Sequence, residues 1–185
     1  LDFYTYQAYR SGIDNDIIAL TKEGTGIRSI ARLLKISPTT LLARIIAIAK
    51  KIVQPSIPEG KIYQVDEMRT YVKRKDKLIW IVYALEKQTK SVFSFNIGRR
   101  TNQTLKNVIT SLELSEARKI ITDKLKNYKF LIRPEIHSTK VRGINHIERK
   151  NLTLRTHLKR LNRKTICFSK SLVILNAILK IYFWG

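Results

Sequence analysis

The chain has one cysteine, Cys167, one methionine, Met68, and only 14 acidic residues in 185. A single thiol excludes an internal disulfide and any cysteine-rich zinc site, and this usage fits a reducing cytoplasm. No secretory signal is expected from these residues. The apolar runs Ile79 to Leu85 and Leu172 to Leu179 are too short to cross a bilayer, so no membrane is expected as a partner. No internal repeat or low-complexity tract interrupts the order of the chain. It begins at Leu1 and its one methionine is internal, so its natural start is expected upstream.

Against the few acids stand 36 Lys and Arg, a net charge of +22 and a pI near 10.3. The excess is graded: residues 1 to 60 carry +3, 61 to 122 carry +7 and 123 to 185 carry +12. Such a field attracts polyphosphate, and neutralising phosphates releases counterions, so binding to nucleic acid should be strong and steeply salt-dependent. A hydrophobic content of 44% is enough for a true core, and the length allows one ordinary domain plus a small one. A disordered basic tail is thereby excluded.

Gln54-Pro-Ser-Ile-Pro58-Glu-Gly60 separates a helical pattern from a strand-like one, which divides the chain into residues 1–53, a linker 54–60 and residues 61–185. Before the linker, helices are predicted over Ile13 to Glu23, Gly26 to Leu34 and Pro38 to Val53. Ser37 suits the N-cap and Pro38 the first helical position, where no intrahelical acceptor awaits an N–H. Helices joined by the short turn Lys35-Ile36-Ser37 suggest a helix-turn-helix, with Thr39, Thr40 and Arg44 as DNA contacts. Leu41 to Ala49 is unusually apolar for a recognition helix, so a plain three-helix core or a dimerisation helix stays open.

After the linker, strands are predicted over Lys61 to Asp66, Leu78 to Leu85, Ser91 to Ile97 and Arg118 to Thr122, with a helix over Asn102 to Leu112. The β-branched and aromatic content of Leu78 to Leu85 marks a strand buried on both faces. Lys73, Arg74 and Lys75 lie in a basic hairpin tip that serves as a DNA contact or a solvated turn. Leu125 to Ile132 reads as a short helix, Pro134 to Thr139 as irregular, Asn145 to Leu161 as a long basic helix, and Ser169 to Phe183 as an apolar helix covering the sheet.

Acids are scarce enough in this chain that their positions carry information. Asp66 ends the first strand-like run, Asp123 follows the last, and Glu148 is the one acid of the basic helix, at spacings of 57 and 25 residues. Carboxylates suit Mg²⁺, which prefers oxygen ligands, and two such ions can activate an attacking oxygen and stabilise a leaving one. Alternatives remain for each: solvated strand ends for Asp66 and Asp123, and a capping box with Asn145 for Glu148. Arg155, two turns beyond Glu148 on its face, could hold a DNA backbone or simply be solvated. Glu67 reads as a supporting or surface acid and Cys167 as core.

Tyr63-Gln-Val-Asp66-Glu-Met68, Thr122-Asp123 and Asn145-His-Ile-Glu148-Arg149 resemble the three acidic motifs of the DDE transposases of the insertion-sequence-one class, small bacterial mobile elements. The tract Arg149 to Lys170 looks like that family's most distinctive stretch. The resemblance implies an α/β fold: an RNase-H-like mixed sheet flanked by helices, here preceded by a small all-α helix-turn-helix region. It implies Asp66, Asp123 and Glu148 as catalytic metal ligands, Mg²⁺ or Mn²⁺ as cofactor, in two ions, and DNA as partner, both terminal inverted repeats and target. Arg149, Arg155 and Lys159 join the expected DNA contacts, a homo-oligomer on DNA is expected, and the location would be the bacterial cytoplasm at the nucleoid. Two departures stand out: Arg69 where family members often carry tryptophan, and no cysteines for an N-terminal zinc ribbon. The rival function is a non-catalytic DNA-binding remnant or a repressor of transposition.

Overall fold

The computed structural model describes residues 7–139 and 144–185; Leu1, from which an upstream start was expected, and Gly143 at the head of the basic tract lie outside them. After a 3₁₀ turn at Gln7–Tyr9 come α1 (Ile13–Lys22), α2 (Ile27–Leu33) and α3 (Pro38–Lys51). Ser37 caps α3 as its sequence predicts, its hydroxyl accepting from the Thr40 amide at 3.0 Å, with Pro38 in the first turn. The turn between α1 and α2 uses Gly24 at φ +72°, where a Cβ would overlap the carbonyl oxygen of His157. That glycine answers both a left-handed backbone and a close approach.

The second part contains β1 (Ile62–Tyr71), β2 (Leu78–Glu86), β3 (Val92–Gly98), α4 (Asn102–Leu114), β4 (Lys119–Ile121), α5 (Lys126–Leu131), β5 (His137–Ser138), α6 (Asn145–His157), a 3₁₀ turn at Lys159–Leu161 and α7 (Leu172–Trp184). The strands form one sheet in the order β3-β2-β1-β4-β5, with β1, β2 and β3 antiparallel and β1, β4 and β5 parallel. This is the RNase-H-like mixed sheet that the acidic motifs implied.

Side-chain alternation sends the two faces of the sheet to two cores. Tyr63, Val65, Val82 and Ala84 face α4 and α5, together with Leu105, Ile109 and Tyr128. Met68, Ile79, Ile81, Tyr83 and Leu85 face the other way, into a core shared with α6, α7 and the N-terminal helices through Ile147, Leu154, Ile178, Leu179, Leu41 and Ile45. β2 is thus apolar on both faces, and the apolar side of α3 is packing surface.

Three boundaries differ from the sequence reading. β1 does not stop at Asp66 but continues to Tyr71, pairing with β2 down to Leu78, because Met68, Thr70 and Tyr71 also have buried places to fill. The predicted helix over 145–161 breaks at Leu158, whose ψ of 85° ends α6 before the 3₁₀ turn that buries Leu161. The stretch read as irregular contains β5, which adds to the parallel edge through Ile120↔His137 and Ile121↔Ser138.

Candidate active site

Parallel pairing of β1 and β4 brings the first two acids together. Their register matches Gln64 with Ile121, and continuing it by two places sets Asp66 beside Asp123. Asp66, Glu67 and Asp123 offer ligand atoms that all lie within 4.8 Å of one another. Asp66 therefore sits in mid-strand, and neither acid is a loose strand end. One Asp66 oxygen accepts the Glu67 amide at 2.8 Å and the other accepts the side-chain amide of Asn151 at 2.6 Å. Asp123 accepts the Leu125 amide at 2.9 Å, which turns the chain from β4 toward α5.

Burial pushes the Asp66 carboxyl up to about 6, and the charges of Glu67 and Asp123 push the same way while its two hydrogen bonds resist. Arg155 interacts with this carboxylate electrostatically, but among the described residues no ion pair neutralises it. The donor set fits a hard divalent ion, which would remove that penalty.

Glu67 differs from the aspartates although it stands among them. Its side chain is 2% exposed, with one oxygen bonded to Tyr128 at 2.9 Å and the other ion-paired with Arg100 at 3.0 Å. Arg100 also lies over the Trp80 ring, 5.9 Å from its centroid. Both Glu67 oxygens are thus committed to protein partners, on the α4 side of the sheet. Neither Tyr128 nor Arg100 was singled out by its sequence position. Burial, followed by the charge of Glu67, drives the Tyr128 hydroxyl far above its ordinary value, so it stays a donor.

Glu148 lies in the first turn of α6 with an exposed side chain, outside the 4.8 Å group. The helix starts at Asn145 with Ile144 as N-cap and no side-chain cap, so the capping box does not form. Glu148 is one helical turn before Asn151, the residue that reaches Asp66.

Arg155, further along α6, donates to the Leu161 carbonyl at 2.8 Å and to the Arg69 carbonyl at 3.4 Å. Burial, then the charges of Arg163 and Arg69, lower its pKa. Arg149 and Lys159 are exposed, as are Lys73, Arg74 and Lys75 at the β1–β2 tip, where Arg74 pairs with Asp76 at 2.7 Å. Thr39 is exposed, and the Thr40 hydroxyl lies 2.8 Å from that of Ser37. Arg44 pairs with Asp14 at 2.8 Å and also donates to the Ala8 carbonyl, so its guanidinium ties α3 to α1. Cys167 is exposed and not in the core: Phe168, stacked edge-on to Tyr71, and the buried Ser169 take the inward places of that segment. Among the described residues, no helix is long and apolar enough to cross a membrane.

Residues 61–184 match the family described as IS1 transposase. The chain is 35% identical over 113 residues to the insertion element iso-IS1n protein InsB of Shigella dysenteriae, covering 61% of this chain and 86% of that one. It is 31% identical over 150 residues to the insertion element IS1 9 protein InsB of Escherichia coli (strain K12), covering 81% and 85%. Among solved structures, the HTLV-2 integrase catalytic core domain in complex with magnesium aligns with a TM-score of 0.43 and 16% identity, over 69% of this chain and 86% of that one. A chain of the simian T-cell lymphotropic virus intasome in complex with PP2A regulatory subunit B56 gamma aligns with a TM-score of 0.44 and 18% identity, over 88% and 66%.

Proposed function

The chain belongs to the IS1 transposase family, and on that premise we propose that it cleaves the ends of its insertion sequence and joins them to target DNA, with Asp66, Asp123 and Glu148 as ligands for Mg²⁺ or Mn²⁺. The observation that carries this reading is the half-buried Asp66 within 4.8 Å of Asp123, its carboxyl pushed up to about 6 mainly by burial. Bound there, two ions would lower the pKa of an attacking oxygen and neutralise charge on a leaving one.

The reaction is in-line displacement at phosphorus. Water attacks a phosphodiester at the element's end and the 3′-oxygen leaves as a hydroxyl; that hydroxyl then attacks a target phosphodiester, whose own 3′-oxygen leaves. Asp66 and Asp123 are held by the sheet and Glu148 by α6, so rigid elements set the ligand positions. Arg155, beside Arg69 and Arg163, gathers guanidinium charge where a phosphate adjoining the reacting one would need it. Lys73, Arg74, Lys75, Arg149 and Lys159 extend the basic surface along the DNA. Residues 1–53 are assigned to reading the ends, through Thr39 and Thr40, with Arg44 holding α3 in place as well as lying near that surface. A homo-oligomer on DNA would let two ends be joined together.

Plasmid nicking in Mn²⁺ tests the reading. The parent chain should nick a substrate carrying the inverted repeats; Asp66→Asn, Asp123→Asn and Glu148→Gln should each abolish nicking while metal-free DNA binding persists. Nicking that survives all three changes would reject the site. Binding without any nicking by the parent would leave a non-catalytic DNA-binding product.

A further inference from the structure

The helix that carries Glu148 lies on β1 through a small polar network set into an otherwise apolar contact. The Ile147 amide donates to the Gln64 side-chain oxygen at 2.9 Å. The Tyr83 hydroxyl lies 2.8 Å from Asn151 Oδ1 and 3.2 Å from the Ile147 carbonyl, so its single proton is shared between them. Asn151 Nδ2 in turn donates to Asp66 at 2.6 Å. Gln64 and Tyr83 are 1% and 0% exposed, and Ile147 and Leu154 close the contact with apolar surface at 0% each.

Two consequences follow from the chemistry of these groups. Tyr83 donating to Oδ1 leaves only the Nδ2 side of the amide for Asp66, the one orientation an acceptor-only carboxylate accepts. Moreover, α6 cannot rotate by one residue, about 100°, or slide by one turn, about 5.4 Å, without stranding buried donors and acceptors. Purely apolar contacts would tolerate such slips far better.

We infer that Asn151 is a positioning residue for the metal site: its amide fixes the carboxylate of Asp66 and, with Tyr83 and Gln64, indexes α6 so that Glu148 is presented from a set rotation. The inference rests on the proposed metal-dependent transposase reading. Asp66 is held by one donor on each oxygen, from Glu67 and Asn151, and each oxygen keeps a further lone pair for a cation. Hydrogen-bond partners of this kind orient ligands and raise metal affinity by about 10- to 100-fold.

The test is Mn²⁺ binding to the full chain without DNA, by calorimetry and by the loss of free Mn²⁺ signal in electron paramagnetic resonance. Thermal melts and metal-free DNA binding are measured beside it. Asp66→Asn should remove the binding from the parent. Asn151→Ala should weaken it by about 10- to 100-fold, Tyr83→Phe should weaken it severalfold, and the double variant should be no weaker than Asn151→Ala, because the hydroxyl acts through the amide. Metal-free DNA affinity should stay within about twofold. A merely structural role would lower the melting temperature and leave Mn²⁺ affinity where it was. If Asn151→Ala does not fold, Tyr83→Phe decides, since it removes one hydroxyl and keeps the asparagine. Unchanged Mn²⁺ affinity in the folded variants overturns the positioning role alone. A parent with no Asp66-dependent binding overturns the metal reading and this inference with it.

Discussion

Asp66 holds its proton more tightly in the fold than in an unfolded chain, at about 6 against 3.8. Its contribution to stability is therefore full below about pH 4 and lost as pH rises through about 6, a difference of roughly 2 to 3 kcal/mol. Asp66→Asn is expected to raise the melting temperature of the metal-free protein at about pH 7.5 by on the order of 5 °C, and to raise it little at about pH 4. An unfavourable amide-to-amide contact with Asn151 offsets part of the gain. A variant that melts lower than the parent at the higher pH would contradict the burial argument. Glu67 should behave in the opposite sense. Glu67→Gln keeps an acceptor for Tyr128 but leaves Arg100 without its anion, so it should lose about 1 to 2 kcal/mol, small because Arg100 is 46% exposed. Its Mn²⁺ binding by calorimetry should survive, where Asp123→Asn loses it. Asp66 and Asp123 could be paired from sequence because each follows an apolar β-run, and they do come together. Glu148 stood out only because acids are so scarce around it, and it lies outside the group that Asp66 and Asp123 form with Glu67. The duties of Glu67 and Asn151 were not legible, since they depend on which face of β1 each side chain meets and on α6 lying across it. Cys167 was misplaced for a related reason: in a loop, the inward places went to Phe168 and Ser169, and residue type alone does not assign them.

Elements show the same division between local and tertiary information. The cap of α3 was readable because Ser37-Pro38 acts within one turn, and Ser37→Ala should lower stability by about 1 kcal/mol in denaturant unfolding. The length of β1 was not readable in this way: Met68 to Tyr71 become strand because β2 is there to pair with them. Two residues suffice for β5 only because β4 supplies its partners, which a run as short as His137–Ser138 cannot signal. The β1–β2 tip is anchored at its base by the Lys73 amide donating to the Ser169 carbonyl, while the side chains of Lys73, Arg74 and Lys75 are all exposed. Alanine at all three should weaken binding evenly across DNA sequences and reduce the slope of log affinity against log salt by about 1 for each side chain that meets a phosphate. An unchanged slope would make the tip a solvated turn.

At the scale of the whole molecule, α1, α2 and α3 share one core with α7 and a face of the sheet. Leu179 lies in it at 0% exposure, and Leu179→Ala should lower stability by about 2 to 5 kcal/mol. A chain cut to residues 61–185 should bind DNA through its basic surface yet melt well below the full chain, with dye binding to the uncovered face of α7. Equal melting temperatures would show that the helices contribute little to that core. The position of Gly24 gives the same fact a mechanical form. Its backbone lies directly on the last residue of α6, with no room for even a methyl group between them. The helix is thus a short beam clamped at both ends, by the Gln64 and Tyr83 bonds at Ile147 and by the α1–α2 turn at His157. Gly24→Ala would release the far clamp without touching an acid. Amide exchange should then quicken along α6 from His157 backwards, and the Glu148 end would loosen last.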